Sequence, residues 1–94
     1  MIKFEWDKSK SQVNQKKHGI SFEEASTIFF SDQIRVFVDQ ANSTLDEERL
    51  IAIGLSQHER LLTVIHCYRE NDDVIRIISA RKATKQEKKF FEGE

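Results

Sequence analysis

Proline is absent from this chain, glycine occurs three times and cysteine once. Nothing Pro-rich or Gly/Ser-rich is present to act as a linker, and no repeat or low-complexity stretch divides the chain. Three scattered glycines cannot form a Gly-rich phosphate loop, which argues against dinucleotide and nucleoside triphosphate folds. A single Cys67 excludes an intramolecular disulfide and fits a reducing compartment. Set in an apolar strand, it reads as a buried, inert thiol. No apolar run approaches the length of a membrane span, and the first residues lack the apolar core of a signal peptide. No membrane partner is expected, and the cytoplasm is the expected location. His18, His58 and His66 stand far apart, without a second His or Cys at ligand spacing, so neither metal nor cofactor is expected.

What remains is a chain of 94 residues, expected to form a single domain over 1–94 with one modest core. Apolar residues make up 38%, seven of them Phe, so a packed core is within reach and disorder is not expected. One third of the residues are charged, yet the net charge is only −1. Attraction to a polyanion therefore requires a polarised face.

The hydrophobic pattern reads as β-α-α-β-β-β-β-α. Ile2 to Trp6 alternates as a first strand, and Asp7 or Ser9 caps a polar helix that runs to about His18 and stops at Gly19. Ser21 and Glu24 form a capping-box pattern, Ile20 can staple to Ala25, and the second helix ends near Phe30. The period then changes to two, with strands at Ile34–Asp39, Arg49–Ser56, Leu61–Arg69 and Val74–Ala80. Thr84 and Glu87 form a second capping-box pattern, opening a helix to about Phe91. Short connections make the strands antiparallel neighbours. The expected fold is α+β, an antiparallel β-sheet with the helices packed on one face and the other free for a ligand.

If the acidic turn Glu70-Asn71-Asp72-Asp73 and the turn at Gln57–Glu59 are both simple, Arg49, Cys67 and Arg76 form a row across one sheet face. His66 and Ile77 then lie on the other, and a slip of one residue reverses these assignments.

The segment Ile75–Thr84 concentrates charge: from Arg76 to Lys89 there are six basic residues and one acidic one. Arg81 and Lys82 leave a strand at the start of a helix, where the dipole disfavours cations and an anion would relieve the conflict. A phosphate is the natural anion, and RNA the first polyanion to consider. Solvated faces paired with nearby carboxylates are the plainer reading for single arginines and for Lys85, Lys88 and Lys89. His66 is more often a hydrogen-bonded core histidine than a base, Tyr68 more often a packing residue than an acid, and Glu48 can equally pair with Arg49.

Two blocks carry a family resemblance. The first holds Phe4-Glu5-Trp6-Asp7, Asn14 and Lys17-His18-Gly19-Ile20-Ser21-Phe22-Glu23-Glu24-Ala25. The second holds Glu48-Arg49, Ile53-Gly54-Leu55-Ser56, Arg60 and the segment Ile75–Thr84. In this order and at this length they resemble the BrnT family of toxins from type II toxin–antitoxin modules.

The resemblance implies a RelE-like fold and a ribonuclease activity that blocks translation. It also implies a BrnA-type antitoxin with a ribbon-helix-helix part, through which alone the complex reaches operator DNA. RNA cleavage without metal needs an activated 2′-hydroxyl, a held phosphorane charge and a protonated 5′-oxygen. The expected phosphate clamps are Arg49, Arg76 and Arg81, and the proton-transfer candidates are Lys82, His66, Tyr68 and Glu48. RelE-like toxins often place a tyrosine near the C-terminus; here stand Phe90 and Phe91, which donate no proton, although Phe91 can stack on a base. A non-catalytic nucleic-acid-binding or co-repressor subunit is the alternative, since arginines suffice for binding.

Overall fold

The structure, a computed structural model, describes residues 2–93. Asp7, in extended backbone, accepts hydrogen bonds from Ser9 N (2.9 Å) and Lys10 N (3.1 Å) and so opens α1 (Lys8–His18). Gly19, at φ 72°, closes α1 in the left-handed conformation, its N–H bonded to Gln15 O at 2.8 Å. Ser21 caps α2 (Phe22–Ser26) through Glu24 N, but the return half of a capping box does not form. The Glu24 carboxylate is taken instead by Arg60 and Ser56.

The second helix was expected to continue to Phe30. It stops at Ser26 and tightens into a 3-10 turn over Thr27–Phe30, where Ser26 and Thr27 hydroxyls bond back to Glu23 O and Glu24 O. Strands β1 (Lys3–Glu5), β2 (Ile34–Val38), β3 (Leu50–Leu55), β4 (Leu61–Arg69) and β5 (Val74–Lys82) form one sheet in the order β1-β5-β4-β3-β2. Helix α3 (Lys85–Glu92) follows, opened by Thr84 with a complete capping box to Glu87. The α+β class and the element order match the sequence reading.

Two expectations about the sheet are corrected. It is mixed, because β1 runs parallel to β5, with Lys3 beside Val74 and Glu5 beside Arg76. Strands β3, β4 and β5 are joined by short turns and β2 reaches β3 through the loop 39–49, too short for a crossover, so these four alternate in direction, whereas β1 reaches its partner through two helices, which impose no direction. Nor do the helices share one face.

On the inner face, Ile20, Phe22, Ala25 and Ile28 pack against Ala52, Leu62, Val64, Ile77 and Ala80. Full burial of Phe22 contributes roughly 2–3 kcal/mol. Gly54 admits this layer, since a Cβ there would stand 3.3 Å from Ile28 Cβ. Helix α3 lies across the outer face, with Phe90 against Phe37 at 5.4 Å and Glu87 bonded to Thr63 Oγ1 at 3.0 Å. Ile53 and Thr63 are buried beneath it.

Asn14, on a helix read from its sequence as polar, is buried. Its amide donates to Ala80 O (2.8 Å) and Ile20 O (3.0 Å) and accepts from Ala80 N (3.1 Å). Beyond its short pairing with β1, the edge of β5 is thus paired by a side chain in place of a strand. Among the described residues, no helix is long and apolar enough to cross a membrane.

Candidate functional site

Strand alternation assembles the site. Cys67 pairs with Arg76, and Leu50 with His66, so Arg49 stands opposite Cys67 on the other side. The expected row Arg49–Cys67–Arg76 is present on the outer face, and His66 and Ile77 point to the inner one. Parallel pairing adds Glu5 to the end of the row. Ile65 pairs with Ser79 while His66 pairs with Ile77, which leaves Ile78 as a bulge. Arg76 and Arg81, five residues apart, would face opposite ways in a regular strand; the bulge turns both outward.

Arg49, Arg76 and Cys67 line a recess of about 200 Å³ together with Arg69, Lys10, Glu47 and Asp7. Cys67 is its buried floor, and burial pushes the thiol pKa up, so the sulfur is held as neutral SH. The Glu47 carboxylate bridges Arg49 Nε (3.1 Å) and Arg69 Nη2 (3.2 Å), and Arg76 meets Glu5 at 2.5 Å. Every arginine in the recess therefore has a carboxylate partner. Each contact is a single one between part-exposed side chains, a class worth about 0–1 kcal/mol in water. A phosphate can displace such a partner. Thr44 positions Glu47: its hydroxyl accepts from Glu47 N (3.1 Å) and its N–H donates to Glu47 O (2.8 Å).

Arg81 is elsewhere. It sits opposite Thr63, four residues along β4 from Cys67, or about 13 Å. Its guanidinium grips Glu87 through two contacts, at 2.7 and 2.9 Å, and Glu87 also accepts from Thr63 Oγ1 and Thr84 N. The Arg81 guanidinium first, then the Thr84 and Thr63 donors, hold the Glu87 carboxyl at about 2. The anion that the cations at this helix start call for is the chain's own Glu87. Lys82 ends the same strand, exposed and opposite Leu62 on the inner face.

The proton-transfer candidates are not gathered either. His66 is fully buried on the inner face, edge-on to Phe29 (4.9 Å) and Tyr68 (5.6 Å). Nδ1 lies 3.4 Å from Val64 O, while Nε2 has no protein partner among the described residues, and burial lowers the pKa. Tyr68 and Glu48 share a second recess of about 210 Å³, which meets the first at Glu47 and Arg69. At α3, Phe90 is the exposed ring; Phe91 is half-buried, its carbonyl accepting from Arg35 Nε at 3.0 Å.

Sequence reasoning missed Arg69, Lys10 and Glu47. Arg69 was within reach, being two residues from Cys67 and thus on the same face. Lys10 and Glu47 arrive from α1 and from the loop before β3, and no periodicity links them to the row.

The profile of the BrnT family, ribonuclease toxins of type II toxin–antitoxin systems, matches residues 6–87. The chain belongs to this family. The matched span holds the whole recess and the Arg81–Glu87 pair. Among solved structures, the chain is similar to the 1.1 Å crystal structure of the Brucella abortus ribonuclease toxin BrnT. The TM-score is 0.67 at 28% identity, covering 90% of this chain and 100% of the Brucella one. No curated protein matches. Membership of the BrnT family implies an RNA substrate and an antitoxin partner.

Proposed function

We propose that this BrnT chain is an endoribonuclease that cleaves RNA without a metal ion, inhibits translation and acts in the cytoplasm as one domain. The observation that carries the reading is the convergence of Arg49, Arg69, Arg76 and Lys10 on one recess. Four cationic side chains on one recess can balance the charge of a phosphate by themselves, which supports the metal-free reading.

In the proposed reaction the ribose 2′-oxygen attacks the adjacent phosphorus and the bond to the 5′-oxygen breaks, leaving a 2′,3′-cyclic phosphate and a 5′-hydroxyl. Arg49, Arg69 and Arg76 hold the non-bridging oxygens, whose charge grows in the transition state. Glu47, freed from the guanidinium fork by the incoming phosphate, takes the 2′-hydroxyl proton, and Lys10 protonates the departing 5′-oxygen. Arg81 has a structural role in this reading, and His66, on the far face, takes no part. Tyr68 and Glu48 stand round the corner from the phosphate. A BrnA-type antitoxin would cover the recess with acidic side chains and carry the complex to operator DNA. The RelE-like assignment belongs to the same proposal and rests on a small sheet bearing arginines at its strand ends.

The test is cleavage of single-stranded RNA by the purified chain in excess EDTA. Arg49→Ala and Arg76→Ala should each lose about a hundredfold or more in rate, the usual cost of a lost transition-state contact. Equal cleavage by all variants discards the site, and cleavage abolished by EDTA discards the metal-free reaction. Salt-dependent retention of RNA without scission would instead support the non-catalytic binding subunit.

A further inference from the structure

Alternation places a second row beside the cationic one on the outer face. Phe37 pairs with Ile51, Ile51 with Ile65, and Ile65 with Ser79; Ile51 and Ile65 stand two residues along their strands from Arg49 and Cys67, and Ser79 three from Arg76 across the bulge. The step between the rows is about 6.6 Å. The shelf is open: Phe37 is 39% exposed, and Ile51 and Ile65 are only half-buried. Helix α3 walls its other side with Phe90, 50% exposed and edge-on to Phe37, while the Arg35 guanidinium lies 6.0 Å from the Phe90 ring centre.

We infer that the Phe37–Ile51–Ile65 shelf, with Phe90 as its wall, seats a nucleobase of the single-stranded RNA whose phosphate lies in the neighbouring arginine recess. This rests on the phosphate-binding reading above and adds to it the part of the substrate that is not charged. A base hangs one sugar away from its phosphate, so an apolar surface one strand step from a row of guanidiniums lies within its reach. Cations tracking the backbone beside aromatic rings that receive bases is how proteins hold single strands. Duplex RNA keeps its bases stacked and would present only sugar and phosphate to the shelf, so the shelf selects unpaired segments. Stacking tolerates any base, so the shelf positions the strand more than it reads sequence.

The probe is a short 2′-O-methyl oligoribonucleotide, which cannot be cleaved, in two forms: with all its bases, and abasic at one central position. Phe37→Ala should weaken binding of the intact strand by about tenfold and bind the abasic strand as the wild type does. Phe37→Leu keeps the apolar volume without the ring face and should fall between, and thermal unfolding establishes that both variants fold. Arg76→Ala should weaken both strands alike, which separates failure of the shelf from failure of the phosphate recess. Equal loss by Phe37→Ala on both strands, or no loss on either, overturns the shelf. So does a Phe37→Ala variant that keeps RNA but no longer binds its antitoxin, because the shelf then belongs to the protein partner. A wild type that binds neither strand overturns the shelf and the recess together.

Discussion

Arg81 and Glu87 meet through two parallel contacts, at 2.7 and 2.9 Å, and their pairing fastens α3 to the outer face of the sheet. A bulge at Ile78 makes this possible, since without it Arg81 would turn to the inner face.

That pairing sets an acid limit on the fold. Glu87 is at about 2 in the folded chain against an ordinary value of 4.5. Its contribution is complete above pH 4.5 and is lost as pH falls towards about 2, because the unfolded chain takes up the proton first. Glu87→Gln should flatten the acid slope of thermal unfolding over that window. It should also expose the amides of α3 to faster hydrogen exchange. A slope unchanged by the substitution would refute the clamp.

His66 acts in the same direction at higher pH. Burial lowers its pKa below 6.5, so the folded chain binds fewer protons than the unfolded one and stability falls as pH drops below about 6.5. His66→Phe should remove this slope, and denaturant unfolding at pH 7 and pH 5 measures it. An identical pH dependence in the variant would show that another group is responsible.

Asn14→Ala removes three hydrogen bonds and leaves Ala80 N and O unpaired at a buried strand edge. An orphaned buried backbone group costs about 1–3 kcal/mol. The variant should lose about 2–4 kcal/mol in denaturant unfolding, with losses below 1 kcal/mol contradicting the role of a surrogate strand.

Gly54→Ala places a Cβ 3.3 Å from Ile28 Cβ, between backbone and a fully buried side chain. Overpacking of this kind costs about 1–3 kcal/mol, and Ile28→Ala, which leaves the Cβ free to move aside, should cost less in this background than in the wild type. Chemical denaturation of the single and double variants reads the coupling. Additive losses would mean that the two residues do not press on one another.

Much of the fold was legible because the signals are local. Asp7, Ser21 and Thr84 announce helix starts by offering an oxygen to free N–H groups, and Gly19 ends α1 by accepting a left-handed backbone. The acidic turn after Arg69 is short enough to set the register that puts Arg76 beside Cys67. Arg81 was harder to read. Its charge is evident in the sequence, but its partner Glu87 reads equally well as a mere capping residue.

From the sequence alone came the order of elements, the row Arg49–Cys67–Arg76 and the basic character of the last third of the chain, since each depends on neighbours a few residues apart. Tertiary structure decided the parallel seat of β1, the side of the sheet taken by α3, and which cations share a recess. Those depend on groups far apart in the chain, such as Lys10 with Arg49, and Asn14 with Ala80, whose meeting is settled by packing and by the need to pair every buried polar group.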